Sequence, residues 1–175
     1  MISGMRLPSG MRSARLNAPY GRGKERDMTQ QEPSTISQRD LIEASNTAGF
    51  FQLLDAHIEE ADIGRGKVSI RVDERLMHPQ MIVHGGVIFT LADTAMSMAL
   101  LSTLPADTRI STIEAKINYL LPVRTGELVA EASIVQQGRS IAVLEATVYN
   151  IQEGTRQAVA RLLGTFHIAR QKQAV

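Results

Sequence analysis

The longest apolar stretch of this chain is GGVIFTLADTAMSMALL at residues 85–101, which follows His84 and contains one charged residue. Its composition predicts a helix from Gly86 to about Leu101 that ends before Pro105. At 1.5 Å per residue this helix is about 24 Å long, which is short of a ~30 Å hydrocarbon core. A helix that is apolar on nearly all sides has to be covered on nearly all sides. We therefore expect it at the centre of a folded domain and not in a membrane.

The one charge in that helix is Asp93. Between Arg75 and Arg109 the only other formally charged residue is Asp107, so Asp93 has no basic neighbour in the sequence. An unpaired carboxylate in apolar surroundings costs several kcal/mol or takes a raised pKa. Such a residue is a candidate for catalysis, although a capping role or an ion pair with a distant arginine would also explain it.

The segments around the central helix predict an α+β domain. A short helix is expected near residues 37–45, followed by a hairpin around Gly64 to Gly66, because Val68, Ile70 and Val72 alternate with polar residues. Alternation also predicts strands over 109–120, 127–137, 140–151 and 156–168. This order favours a curved antiparallel sheet of five or six strands wrapped around one helix. Because one sheet covers only one face of that helix, we expect a second copy of the chain to cover the rest.

Composition limits both the domain count and the chemistry. The 175 residues fit one domain, and the absence of cysteine excludes disulfides, thiolate zinc sites and a cysteine nucleophile. Residues 1–27 carry six basic and two acidic residues, which leaves 13 basic against 16 acidic in the remainder. A mildly acidic body with 4% aromatic residues does not favour nucleic-acid binding. We expect a disordered extension at 1–36, with Met28 as an alternative start, a domain at 37–170 and a tail at 171–175.

Several motifs together resemble one family. They are His84-Gly85-Gly86, a Leu-Ala-Asp triplet whose Asp93 lies nine residues after the histidine, TIEAKINYLLP at 112–122, a Gly-Glu-Leu triplet at 126–128 and QGRS at 137–140. Over about residues 48–168 the chain resembles the hotdog-fold thioesterases of the phenylacetate-degradation (PaaI-like) type. The resemblance implies a hotdog fold and cytoplasmic hydrolysis of aryl or short- to medium-chain acyl-CoA. Coenzyme A would be part of the substrate, and no separate cofactor is expected.

The resemblance also implies a role for individual residues. The backbone N–H groups of Gly85 and Gly86, at the positive end of the helix, would stabilise the oxyanion of the thioester. Asp93 would be the nucleophile or the general base, and the Thr112 hydroxyl would help to position water. Since Asp93 lies roughly 10 Å along the helix from Gly86, the two cannot act on one carbonyl within one chain. This implies a homodimer, and a dimer of dimers is the expected assembly.

Other residues leave alternatives open. His78 and Met81 stand where the family often has Asn and Gly. His78 remains a candidate catalytic residue, because a histidine can also donate a hydrogen bond to water or to the acyl carbonyl. A non-catalytic acyl-CoA binding module is a second hypothesis. His84 is interpreted either as a structural residue bonded to loop backbone or as a catalytic one. The four histidines lack the spacing and nearby acids of a metal site, so no metal is expected. Three arginines are candidates for coenzyme A phosphate contacts, or are simply solvated charges: Arg109, Arg124 and Arg139.

Overall fold

The computed structural model of this chain describes residues 38–105 and 108–169, and the predicted extension at 1–36 and tail at 171–175 lie outside those residues. Among these residues the helices are α1 (Gln38–Asn46), α2 (Gly49–Leu54) and α3 (Gly85–Leu101), and a 3₁₀ turn spans Glu74–Leu76. The strands are β1 (Ala56–Asp62), β2 (Arg65–Arg71), β3 (Met77–His78), β4 (Ile82–Val83), β5 (Arg109–Tyr119), β6 (Glu127–Gln137), β7 (Ile141–Gln152) and β8 (Thr155–Ala169).

Six of these strands form one antiparallel sheet in the order β1-β2-β6-β7-β8-β5, and β3 with β4 forms a separate small hairpin. The sheet and its central helix confirm the predicted α+β architecture. Residues 49–54, which precede β1, form α2, a helix that was not predicted from the sequence. That helix ends at Asp55 in the left-handed region (φ 59°), a conformation that Asp tolerates better than most residues.

The central helix packs very closely on the sheet at Gly66 of β2. A Cβ atom on Gly66 would lie 2.1 Å from the carbonyl oxygen of Ala95 and 2.8 Å from the amide nitrogen of Ala99. Only a glycine lets the backbone of β2 approach the backbone of α3 this closely. Within the described residues, no helix combines the length and the apolar character needed to cross a membrane.

One side of α3 is less apolar than its composition suggested. Eight of its residues are fully buried, whereas Thr90, Asp93, Thr94 and Ser97 are only half-buried. These four positions are spaced by three or four residues, so they form one stripe of small polar side chains along the helix. The expectation of a helix that is apolar on nearly all sides therefore has to be corrected, since one side carries this polar stripe. The small hydroxyl residues do not stand out in a sequence that is otherwise apolar.

The edge strand β5 is the most exposed part of the sheet. It pairs with β8 on one side, and no described strand pairs with its other side. Its side chains are mostly exposed, including Ile113 at 56% and Tyr119 at 52%. Two side chains of β5 donate hydrogen bonds to α3, and these two contact points define the candidate site.

Candidate active site

The start of α3 is capped by a histidine. His84 has extended backbone (φ −62°, ψ 132°), and its Nδ1 accepts a hydrogen bond from the N–H of Gly86 at 3.0 Å. Since Nδ1 accepts, the proton of the neutral ring sits on Nε2. The structure thus gives His84 the backbone contact expected of its structural interpretation. The N–H of Gly86 is thus engaged by the His84 ring. The N–H of Gly85, in contrast, has no acceptor among the described residues.

Gly85 is held by Tyr119 from the end of β5. The Tyr119 hydroxyl donates a hydrogen bond to the carbonyl oxygen of Gly85 at 3.0 Å. A Cβ atom at position 85 would lie 2.8 Å from the Tyr119 oxygen and 2.9 Å from the ring carbon that carries it. Glycine is therefore required here by the tyrosine. This role of Tyr119 was not predicted from the sequence, although the residue lies within the TIEAKINYLLP motif.

Asp93 meets Thr112 eight residues further along the helix. The Thr112 hydroxyl donates to one carboxylate oxygen of Asp93 at 2.9 Å. Burial raises the pKa of Asp93 above the ordinary value of 3.8, and the hydrogen bond from Thr112 opposes that rise. No lysine or arginine of the described residues forms an ion pair with Asp93. The carboxylate is thus half-buried and held at one oxygen by a neutral donor, as the lack of basic sequence neighbours indicated.

The hairpin before α3 carries the two departures from the family pattern. Nδ1 of His78 accepts from the N–H of Gln80 at 3.2 Å, and its ring centroid lies 6.0 Å from that of His84. Met81 adopts φ +59° and is 66% exposed. This left-handed conformation explains why glycine suits the position in the family, because methionine is strained there.

Two clefts flank the first turn of α3. One has a volume of about 350 Å³ and is lined by Gly85, Ile88 and Tyr119 together with the segment 120–123. The other has a volume of about 460 Å³ and is lined by Gly86, His84 and apolar side chains of α2 and the 3₁₀ turn, including Phe50. Met96 of α3 is fully buried. It therefore belongs to the core.

The three candidate arginines do not lie together in one chain. Arg109 begins β5 opposite Ala169, and Arg139 lies in the turn before β7, so both are at the same end of the sheet. Arg124 follows the far end of β5, roughly 30 Å away at 3.3 Å per strand residue. All three are exposed, and none forms an ion pair with a described residue.

Metal chemistry has no candidate within the described part of the chain. Among residues 38–105 and 108–169, no group of three or more histidine, aspartate or glutamate side chains is placed to hold a metal ion. The structure pairs the Thr112 hydroxyl with the Asp93 carboxylate, and the N-terminus of α3 lies about 12 Å away along the same helix. These groups suit acyl-transfer chemistry with water.

Comparison with known proteins assigns the family. A model described as the thioesterase superfamily matches residues 80–156, which include Gly85, Asp93, Thr112 and Tyr119. A protein of Halobacterium salinarum, named as a candidate esterase, is 34% identical over 132 residues and covers 70% of this chain and 85% of its own. Human acyl-coenzyme A thioesterase 13 is 29% identical over 137 residues, covering 77% of this chain and 96% of its own.

A solved structure agrees with this assignment. The E. coli PaaI protein from the phenylacetic acid degradation operon matches with a TM-score of 0.66 at 24% identity, covering 78% of this chain and 97% of that one. This likeness confirms the predicted fold. The chain therefore belongs to the thioesterase superfamily, with the hotdog arrangement of a curved sheet around a central helix, and its chemistry is thioester hydrolysis.

Proposed function

We propose that this protein hydrolyses acyl-CoA thioesters with aryl or short- to medium-chain acyl groups, and that Asp93 is the nucleophile or the general base. The observation that carries the proposal is the half-buried carboxylate of Asp93, bonded to the Thr112 hydroxyl and to no described cation. The human relative that is named an acyl-coenzyme A thioesterase supports coenzyme A as the leaving group.

The environment of Asp93 suits a reacting carboxylate. Burial raises the pKa of Asp93 above 3.8, so its ionised form is a stronger base than that of an exposed aspartate. Thr112 occupies one carboxylate oxygen. The other oxygen has no partner among the described residues, and it is the atom that would take a proton from water or attack the thioester carbon.

The oxyanion of the thioester requires a hydrogen-bond donor, and the candidate lies where Tyr119 contacts Gly85 at the start of α3. Gly85 has an N–H without an acceptor among the described residues, at the positive end of α3. Gly86 was expected to share this role, but its N–H is engaged by His84. We therefore assign the oxyanion contact to Gly85. Gly85 and Asp93 are eight residues apart, about 12 Å along the helix, so one carbonyl cannot reach both within one chain.

A second copy of the chain would solve this distance problem. The free edge of β5 offers unpaired backbone N–H and C=O groups to another strand. If two β5 edges pair antiparallel, the Thr112 end of one chain lies beside the Tyr119 end of the other. Asp93 of one chain then comes near the partner's Gly85, and a dimer has two sites.

The same pairing of β5 edges would bring the three candidate arginines close together. Arg109 and Arg139 of one chain lie at the Thr112 end of β5, and the partner's Arg124 would lie at that same end. Together these exposed cations could bind the phosphates of coenzyme A, which arginine recognises well. The clefts beside the first turn of α3, with volumes of about 350 and 460 Å³, are mostly apolar and would take the acyl group.

The decisive substitution is Asp93→Asn. Loss of the reacting carboxylate should lower kcat by ~10²- to 10⁴-fold, measured as free thiol released from a panel of aryl and medium-chain acyl-CoA substrates. Asp62→Asn, at an exposed position of β1, is the matched control and should keep full activity. An unchanged rate for Asp93→Asn would remove this mechanism.

The same variant has a stability readout with a defined sign. Because the folded-state pKa of Asp93 is raised, ionisation of Asp93 destabilises the folded protein at every pH above the raised value. Asp93→Asn should therefore raise Tm at pH 7, and this gain should disappear below pH 3.8, where the carboxyl is protonated in both states.

Mixing two inactive variants tests the shared site. Asp93→Asn removes the carboxylate, and Gly85→Pro removes the candidate oxyanion donor. A mixed dimer would keep one intact site, so random reassociation should restore about a quarter of wild-type activity. No restoration in verified mixed dimers would place both groups of each site in the same chain.

A further inference from the structure

The alternation of side chains between the two faces of the sheet is interrupted in β5 by a bulge at Ile113. Thr112 pairs with Phe166 and Glu114 pairs with Thr165, so Ile113 is one extra residue without a partner in β8. Phe166 is fully buried on the helix side of the sheet, so Thr112 opposite it faces the helix. Glu114 faces outward instead, where its carboxylate accepts from the Thr165 hydroxyl at 2.7 Å.

This bulge brings two distant residues to the same face. In an unbroken strand, residues 112 and 119 would point to opposite faces, because they are seven positions apart. With one extra residue at Ile113, Tyr119 lies opposite Ala160 on the helix side, as Thr112 lies opposite Phe166. Both side chains then reach α3, Thr112 at Asp93 (2.9 Å) and Tyr119 at Gly85 (3.0 Å).

The contact at Gly85 restrains the backbone of the first helical residue. The Tyr119 hydroxyl bonds the Gly85 carbonyl, and the ring lies within the space that a side chain at position 85 would need. The ring also lines the cleft of about 350 Å³ beside this residue. A restrained amide stabilises a developing negative charge better than a mobile one.

We infer that Tyr119 is a positioning residue, which holds Gly85 so that its N–H points at the thioester oxyanion, and that the Ile113 bulge places Tyr119 there. This inference rests on the proposed function, because it assigns Gly85 as the oxyanion donor. It makes Tyr119 act on the transition state and leaves substrate binding nearly untouched.

The test is Tyr119→Phe, which removes one hydroxyl and keeps the ring. We expect kcat to fall about tenfold with KM within about twofold, because the oxyanion forms only in the transition state. A thioether analogue of acyl-CoA, which lacks the carbonyl oxygen, should bind with unchanged affinity. Tyr149→Phe is the matched control, because Tyr149 contacts Arg156 and not α3.

A double-mutant cycle provides a second route. Gly85→Ala keeps the N–H but adds a Cβ that displaces the Tyr119 hydroxyl, so it should cost a similar factor. Because both changes break one contact, the double variant should lose much less than the product of the single losses. Multiplicative losses, or a Tyr119→Phe variant with the same kcat as Tyr149→Phe, would overturn the inference. If Asp93→Asn also kept full activity, the proposed function itself would have failed.

Discussion

The two sides of the central helix are held by different kinds of contact, backbone packing on one side and side-chain hydrogen bonds on the other. On the side of β2, backbone meets backbone at Gly66, and a single added carbon would lie 2.1 Å from a carbonyl oxygen. On the side of β5, two side-chain hydroxyls reach the helix across a half-open face, at Asp93 and at Gly85. The closed side therefore determines where the helix sits. The open side keeps a carboxylate and an amide accessible to a substrate.

The comparison predicts that stability resides on the closed side. Gly66→Ala should destabilise the protein by at least about 3 kcal/mol, because the new Cβ collides with the backbone of α3, which cannot move aside. Gly49→Ala is the matched control, since a Cβ there meets nothing within 4 Å. Denaturant unfolding of the two variants measures the difference. A Gly66→Ala variant as stable as Gly49→Ala would contradict the packing described for β2.

Activity, in contrast, should depend on the open side. Gly85→Pro should lower kcat by ~10²- to 10³-fold, the effect of removing one oxyanion donor. Proline is tolerated at the first residue of a helix, and the extended backbone of His84 suits a following proline.

Gly85→Ala separates the two effects of this change. It makes the same collision with Tyr119 but keeps the N–H, so it should lose only about tenfold in kcat. Steady-state kinetics of both variants, with unfolding curves to show equal folding, gives the comparison. Equal losses for proline and alanine would show that the N–H of Gly85 has no part in catalysis.

The hydroxyl at the other contact point should control the pH profile. Thr112 lowers the pKa of Asp93 against the effect of burial, so Thr112→Val should let that pKa rise further. The acid limb of kcat/KM should then move to higher pH, and kcat should fall about tenfold at the plateau. Thr165→Val removes a similar hydroxyl–carboxylate bond on the outer face and should leave the profile in place. If the acid limb of kcat/KM moved to lower pH in Thr112→Val, the hydrogen bond assigned between Thr112 and Asp93 would be contradicted.

The smallest expected effect lies in the hairpin before α3. Met81→Gly should stabilise the protein by up to about 1 kcal/mol, because φ +59° is strained for methionine and not for glycine. Gln80→Gly, at the neighbouring position without a positive φ, should instead destabilise slightly. Thermal unfolding of the two variants checks the sign. If Met81→Gly lowered Tm, the side chain of Met81 would be making a contact that outweighs the strain.

Most of the fold could be predicted from the sequence, because alternation and an apolar run are strong local signals. The strands β5 to β8 were predicted within a few residues, since each alternates between polar and apolar positions. The helix α2 was missed because its six residues are too few to show a helical period. Elements with a clear periodic pattern were therefore predicted, and the helix too short to have one was not.

The candidate site was only partly predictable. Asp93 stood out because it is a lone charge, but its partner Thr112 was proposed only through the resemblance to a family. Tyr119 was not identified as the partner of Gly85, because the bulge at Ile113 reverses the alternation of side chains between Thr112 and Tyr119. Nothing in the residue types there signals an extra residue, since Ile113 suits a regular strand equally well. A backbone contact of His84 was expected, but its partner, the N–H of Gly86, depends on a ring orientation that the sequence does not contain.

The open edge of β5 has a consequence for how such a protein responds to its own abundance. If each site takes its carboxylate from one chain and its amide from another, dilution disassembles the site itself. Specific activity would then decline by mass action as the protein becomes scarce, even though every chain stays folded.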